Sequence, residues 1–122
     1  VTTTKENAMQ YMMFVATDPE PDTDVEDNVE EWVRENDASG VRVRGERLRP
    51  ASEAKTLRLR GGELMVTDGP FTEAKEWIAG YDILECESLE HAIDVASRHP
   101  MARYGRIEVR AFWPFDGSDE GE

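Results

Sequence analysis

Lysine is scarce in this chain, cysteine nearly absent, and no long apolar run occurs. Three lysines (Lys5, Lys55, Lys75) stand beside arginines in a basic total of 14, against 27 acidic residues, for a net charge of −13. A surface so poor in positive charge repels phosphate. That excludes sequence-independent binding of nucleic acid and disfavours an anionic membrane surface. The longest apolar run, residues 11–16, falls far short of the ~20 residues that a membrane-spanning helix needs. No basic stretch leads into an apolar one, so no secretory signal is expected. The single cysteine, Cys86, cannot close an internal disulfide, which fits a reducing, cytoplasmic setting. Its place in an apolar strand pattern predicts a core thiol. Only two histidines, His91 and His99, are present, and with one cysteine they give no metal-ligand spacing. Neither a metal nor a cofactor is expected.

The acidic excess has a second meaning. Surplus surface carboxylate with little lysine is the pattern of a protein from a salt-rich cytoplasm, where salt screens self-repulsion. A halophilic source is the expectation, with an acidic protein from an arginine-rich proteome as the ordinary alternative.

The 122 residues suffice for one domain, and a hydrophobic fraction of 39% suffices for one core. Residues 1–8 are polar and aperiodic, a frayed lead-in. Residues 9–16 are apolar at nearly every position and predict a strand buried on both faces. Thr23 and Glu26 form a capping box. Val25, Val29, Trp32 and Val33 then share one face of a helix whose other face is acidic and solvated. Gly40 ends that helix. Residues 41–48 predict a second strand, in which Leu48 falls out of phase with Val41 and Val43. A bulge at Gly45 is expected. Gly61-Gly62 joins two runs as a tight hairpin, pairing Arg60 with Glu63, Leu59 with Leu64 and Leu57 with Val66.

Residues 77–86 predict another strand. Ser88 caps a second helix with Leu89, Ala92, Ile93 and Ala96 on one face, and His99-Pro100 closes it. Residues 106–113 alternate, with Ile107, Val109, Ala111 and Trp113 on one side. Residues 114–122 form an acidic, flexible tail. The order is strand, helix, strand, hairpin, strand, helix, strand. Two βαβ units on one antiparallel sheet, with both helices on one face, make an α+β domain of ferredoxin-like plan over residues 9–113. The other face of that sheet is left bare and apolar, so a face-to-face homodimer is expected.

The densest cluster of functional groups is the turn Asp68-Gly69-Pro70-Phe71, followed by Thr72, Glu73 and Lys75-Glu76. Asp, Gly and Pro here are strong turn chemistry. Together with Gly45-Glu46-Arg47-Leu48, Gly80-Tyr81 and the run from Ser88-Leu89-Glu90 to Arg98-His99-Pro100, the stretch resembles the DGPF-domain proteins of the YCII-related group. The resemblance covers roughly residues 9–113, and residues 66–109 carry its specific part. It implies a dimeric α+β barrel. It implies no single activity: members of the wider group are lyase- or dehalogenase-like small-molecule enzymes. Genes for DGPF proteins often neighbour those of extracytoplasmic-function sigma factors. This chain departs from the YCII pattern of a histidine in the first helix and an aspartate before a late proline. Here the first helix has no histidine, and histidine precedes the proline.

The resemblance therefore carries over only in swapped form, with Asp68 as the carboxylate and His99 as the imidazole of an acid–base pair. Each also has a structural reading: Asp68 bonding its own turn amides, His99 bonding the last helix carbonyls. Glu46, Phe71, Glu73, Lys75 and Tyr81 are candidate binding residues. Surface ion pairs are the plainer role for Glu46 and Glu73, and a core position for Tyr81. Two functions are expected from this pattern. One is a cofactor-free enzyme of lyase or isomerase type, acting on a small molecule near the Asp68 turn. The other is a non-catalytic dimeric module that binds a ligand or a protein such as a sigma factor. A third reading makes the turn a sheet-shaping device only.

Overall fold

A computed structural model describes residues 8–22, 28–70 and 78–113 of the chain. The Thr23–Glu26 capping box, Phe71, Glu73, Lys75, Trp77 and the acidic tail lie outside the described residues. The elements run β1 (Met9–Ala16), α1 (Val29–Ala38), β2 (Arg42–Arg47), β3 (Lys55–Arg60), β4 (Glu63–Asp68), β5 (Ile78–Cys86), α2 (Leu89–Ser97), α3 (Met101–Tyr104) and β6 (Arg106–Ala111). A short 3-10 turn at Ala51–Glu53 precedes β3.

The main sheet has strand order β2-β5-β1-β6, with every neighbour antiparallel. The two βαβ crossovers interleave, so each central strand lies between the ends of the other unit. That is the ferredoxin-like arrangement. Strand alternation turns Tyr11, Met13 and Val15 of β1 and Leu84 and Cys86 of β5 toward the helices, where all are buried. Trp32 of α1 and Ala92, Val95 and Ala96 of α2 complete the same core. Small residues on α2 let the helix lie close to the sheet, while the Trp32 indole fills the space beside α1.

Several expectations are corrected. β1 is buried on one face, with Met12 and Phe14 on its other face only half-buried. The α2 core face is Ala92, Val95 and Ala96, and Leu89 and Ile93 are exposed. The apolar stripe is rotated because the narrow residues, not the wide ones, meet the sheet. Trp113 and Ala111 are exposed rather than packed with Ile107 and Val109. The irregularity in β2 lies between Arg42 and Arg44, not at Gly45. After His99-Pro100 the chain makes one more helical turn, α3, with Pro100 at its N-terminal cap. Proline suits that position because its missing N–H would have no partner there.

Ser88 caps α2 as expected, its Oγ accepting the His91 N–H at 3.1 Å. The hairpin β3–β4 has the expected register, including Arg60 with Glu63, Leu59 with Leu64 and Leu57 with Val66. Gly61 and Gly62 both take positive φ, 60° and 82°, as a two-residue primed turn requires. The hairpin forms a separate two-stranded sheet and does not extend the main one.

Cys86 is fully buried, and burial, with help from Glu85 and Glu87, pushes its thiol up to about 11. A thiol so placed is a poor nucleophile. The folded protein is expected to leave a disulfide-exchange reagent unreacted, and urea unfolding to release the thiol. Rapid labelling under native conditions would show instead that the end of β5 opens readily.

Candidate functional site

A cleft of about 480 Å³ opens on the helix-covered side of the sheet, between β2, β5, α1 and the segment from His99 to Tyr104. Val15, Val29, Val33 and Met101 give it apolar walls, and Arg42, Asp82, His99 and Tyr104 supply its polar groups. The loop after β1 is tied beside it. Arg103 donates to Asp22 at 2.8 Å, the Asp22 N–H returns to the Arg103 carbonyl at 2.8 Å, and Arg106 pairs with Asp18.

Asp82 lies in the core-facing phase of β5, between Gly80 and Leu84, and only 6% of the residue is exposed. Its Oδ1 accepts the Arg42 Nε–H at 2.7 Å. Arg42 is held from three directions, since it also donates to Asp37 at 3.0 Å and to the Gly45 carbonyl at 3.2 Å. The guanidinium thus joins the end of α1 to β2 and β5. Burial pushes the Asp82 carboxyl above its ordinary range, Arg42 opposes that, and Asp37 adds to it. For Arg42 the effects run the other way. Burial lowers it, but the bonds to Asp82 and Asp37 together outweigh burial and raise it.

Gly45 faces Asp82 across the β2–β5 ladder. A Cβ there would stand 2.0 Å from the Asp82 Oδ1. The glycine expected to mark a bulge is instead the gap into which the carboxylate fits.

His99 is likewise 6% exposed. Its N–H bonds the Ala96 carbonyl at 3.0 Å, which ends α2. Its Nδ1 accepts the Met101 N–H at 3.0 Å. A nitrogen that accepts must hold a lone pair, so the ring proton of the neutral form sits on Nε2. The ring meets Trp32 edge-on, with centroids 4.7 Å apart and planes at 68°. Trp32 is in turn fixed by its Nε1–H bond to the Val95 carbonyl at 2.9 Å.

The residues predicted from sequence separate into groups. His99 lines the cleft, and Glu46 and Tyr81 border it although strand register turns them to the opposite face of the sheet. Glu46 is exposed and 3.9 Å from Arg44, and Tyr81 is half-buried on β5. Asp68 does not line the cleft. It ends β4, exposed, in an ion pair with Lys55 that lowers its carboxyl below the ordinary value. The turn is tied by the Gly69 N–H to the Ala54 carbonyl at 2.8 Å, and by Thr56 Oγ1 donating to the Gly69 carbonyl at 2.9 Å. Sequence reasoning missed Asp82 and Arg42. The signal was present as a lone carboxylate in the buried phase of an otherwise apolar strand. Among the described residues, no group of three or more His, Cys, Asp or Glu side chains is placed to hold a metal. Among the same residues, no helix is long and apolar enough to cross a membrane.

A family model described as the YCII-related domain matches residues 9–116. The chain belongs to the YCII-related domain family. An uncharacterized protein of Rhizobium meliloti (strain 1021) is 48% identical over 66 residues, covering 52% of this chain and 53% of that protein. The match thus spans about half the length of that relative. Within this YCII-related domain, the cleft combines a buried carboxylate, an imidazole of defined tautomer and apolar walls. Those parts suit proton transfer on a small, largely apolar molecule.

Proposed function

We propose that the protein is a cofactor-free acid–base enzyme of lyase or isomerase type, acting on a small organic molecule bound in the His99–Asp82 cleft. One observation carries this: two ionisable side chains, each only 6% exposed, border the same cleft. Ionisable groups gathered in a cleft, here with the Asp82 carboxyl raised by burial, are a common mark of a working site. The carboxylate role foreseen for Asp68 passes to Asp82, which shares the cleft with His99. Asp82, kept ionised by Arg42, is the base that takes a proton from the substrate. His99, a neutral ring with its proton on Nε2, acts beside it by polarising the substrate, and Asp82 returns the proton it took.

A substrate screen followed by substitution tests the assignment. Asp82→Asn and His99→Gln are each expected to lower kcat roughly 10²–10⁴-fold, the usual range for a positioned acid or base. Asp68→Asn removes only an exposed ion pair and is expected to leave turnover unchanged. If Asp68→Asn abolishes turnover and Asp82→Asn does not, the base belongs to the Asp68 turn after all. The base must be ionised, so activity falls as pH drops through the raised Asp82 value. The acid limb of the profile therefore lies above the ordinary aspartate value of 3.8.

The Arg42 bond favours a second reading, in which Asp82 is a structural pin and the cleft binds an apolar ligand without turning it over. That reading expects saturable binding with no product from any substrate. In both readings two copies pair through the open sheet face. Met12 and Phe14 of β1 lie opposite Ile83 and Tyr81 of β5 there, an apolar centre that a partner would cover.

A further inference from the structure

The β3–β4 hairpin carries an apolar face that stands exposed among the described residues. Leu57 pairs with Val66 and Leu59 with Leu64, so all four side chains share one face. They are 61%, 54%, 61% and 60% exposed, respectively. A lone two-stranded hairpin is marginal in water, and four clustered aliphatics add to its need for cover. Its base is nonetheless well fixed, by the Lys55–Asp68 ion pair and by the Gly69 bonds to Ala54 and Thr56. A tied base and an uncovered face together describe an element that is held in place and ordered along its length when a partner covers it.

We propose that this hairpin is an intersubunit arm whose aliphatic face seats on a second copy of the chain. The proposal rests on the face-to-face pairing above and goes beyond it.

Charge selects the occupant. Residues 55–68 hold Lys55, Arg58 and Arg60 against Glu63 and Asp68, leaving the arm slightly cationic in a chain of net charge −13. Every copy of the chain therefore offers the acidic surface that a cationic arm meets favourably. The open sheet face is balanced too. By register it presents Arg44, Arg106 and Arg110 with Glu46, Glu85 and Glu108 around its apolar centre. Two such faces can approach despite the overall negative charge. Under a two-fold axis each hairpin would meet the same surface of the other subunit, so both arms would seat alike.

Sedimentation velocity across a concentration series, together with hydrogen exchange, tests the arm. The double variant Leu57→Ser/Leu64→Ser is expected to raise the dimer Kd roughly a hundredfold, from the apolar burial it removes. Its far-ultraviolet circular dichroism should stay that of the parent, since the hairpin lies outside the core. In the parent, hairpin amides should be protected at concentrations where the dimer forms and exchange freely under dilution. An unchanged Kd, or hairpin exchange that ignores concentration, overturns the arm. A Phe14→Asp variant separates the two claims. If it abolishes the dimer while the hairpin variant does not, the sheet-face pairing stands and the arm falls. A parent that stays monomeric at every concentration overturns both.

Discussion

Replacing Trp32 with alanine is expected to cost about 3–5 kcal/mol, the usual penalty for emptying a buried aromatic site. Trp32 is 3% exposed and is the one buried residue of α1. Three consequences fall together. The core loses the side chain that docks α1 on the sheet. The Val95 carbonyl loses its Nε1–H partner. The His99 ring loses the wall it meets edge-on. Against a typical domain stability of about 5–15 kcal/mol, such a loss leaves the variant close to unfolding at room temperature. Trp32→Phe keeps most of the volume and gives up the hydrogen bond, for roughly 1–3 kcal/mol. Urea unfolding of the three proteins checks the series. A Trp32→Ala midpoint within experimental error of the parent would mean that α1 contributes little to the fold.

Gly45→Ala is expected to destabilise the protein by about 3 kcal/mol, because it breaks a buried ion pair from the side. The new methyl group would lie 2.0 Å from the Asp82 Oδ1, 2.7 Å from its Cγ and 2.8 Å from an Arg42 Nη. The carboxylate must move, and Arg42 loses the bond that anchors it to β5. Removing the carboxylate removes the nearest obstacle, and the Arg42 end that remains is the tip of a flexible side chain. The double variant Gly45→Ala/Asp82→Ala should therefore be more stable than the sum of the single effects predicts. Additivity within about 0.5 kcal/mol would show that the two positions do not meet.

Local pattern was enough for much of the fold. The bounds of β1, the pairing of the hairpin and the Ser88 cap were all legible, because each depends on residues close in sequence or on period-two alternation. What was not legible depends on contacts between distant segments. Gly45 looks like a bulge in isolation. Its role appears only when β2 lies beside β5 and the Asp82 carboxylate fills the missing side chain's place. Leu89 and Ile93 look like core residues by helical spacing, yet the sheet accepts the narrower Ala92–Val95–Ala96 edge.

The site followed the same division. His99 stood out because it is rare and precedes a proline. Asp68 stood out because it begins a run dense in functional groups, but the carboxylate that shares the cleft with His99 is Asp82. A single acid inside the strand Ile78–Cys86 was the better clue. Burial gives such a residue chemical significance that an exposed turn aspartate, paired with Lys55, does not share.

The central position of β1 also bears on how the chain is made. Both of its neighbours come from the far end of the sequence: β5, which pairs with it through Cys86, and β6, which pairs with it through Ala111. Synthesis proceeds at roughly 5–20 residues per second, so the most apolar strand leaves the ribosome several seconds before either partner exists. During that interval Met12, Met13, Phe14 and Val15 have no native ladder to join. The early product is a sticky segment followed by a strongly acidic one, and the like charges of residues 18–31 give nascent chains on neighbouring ribosomes a reason to stay apart.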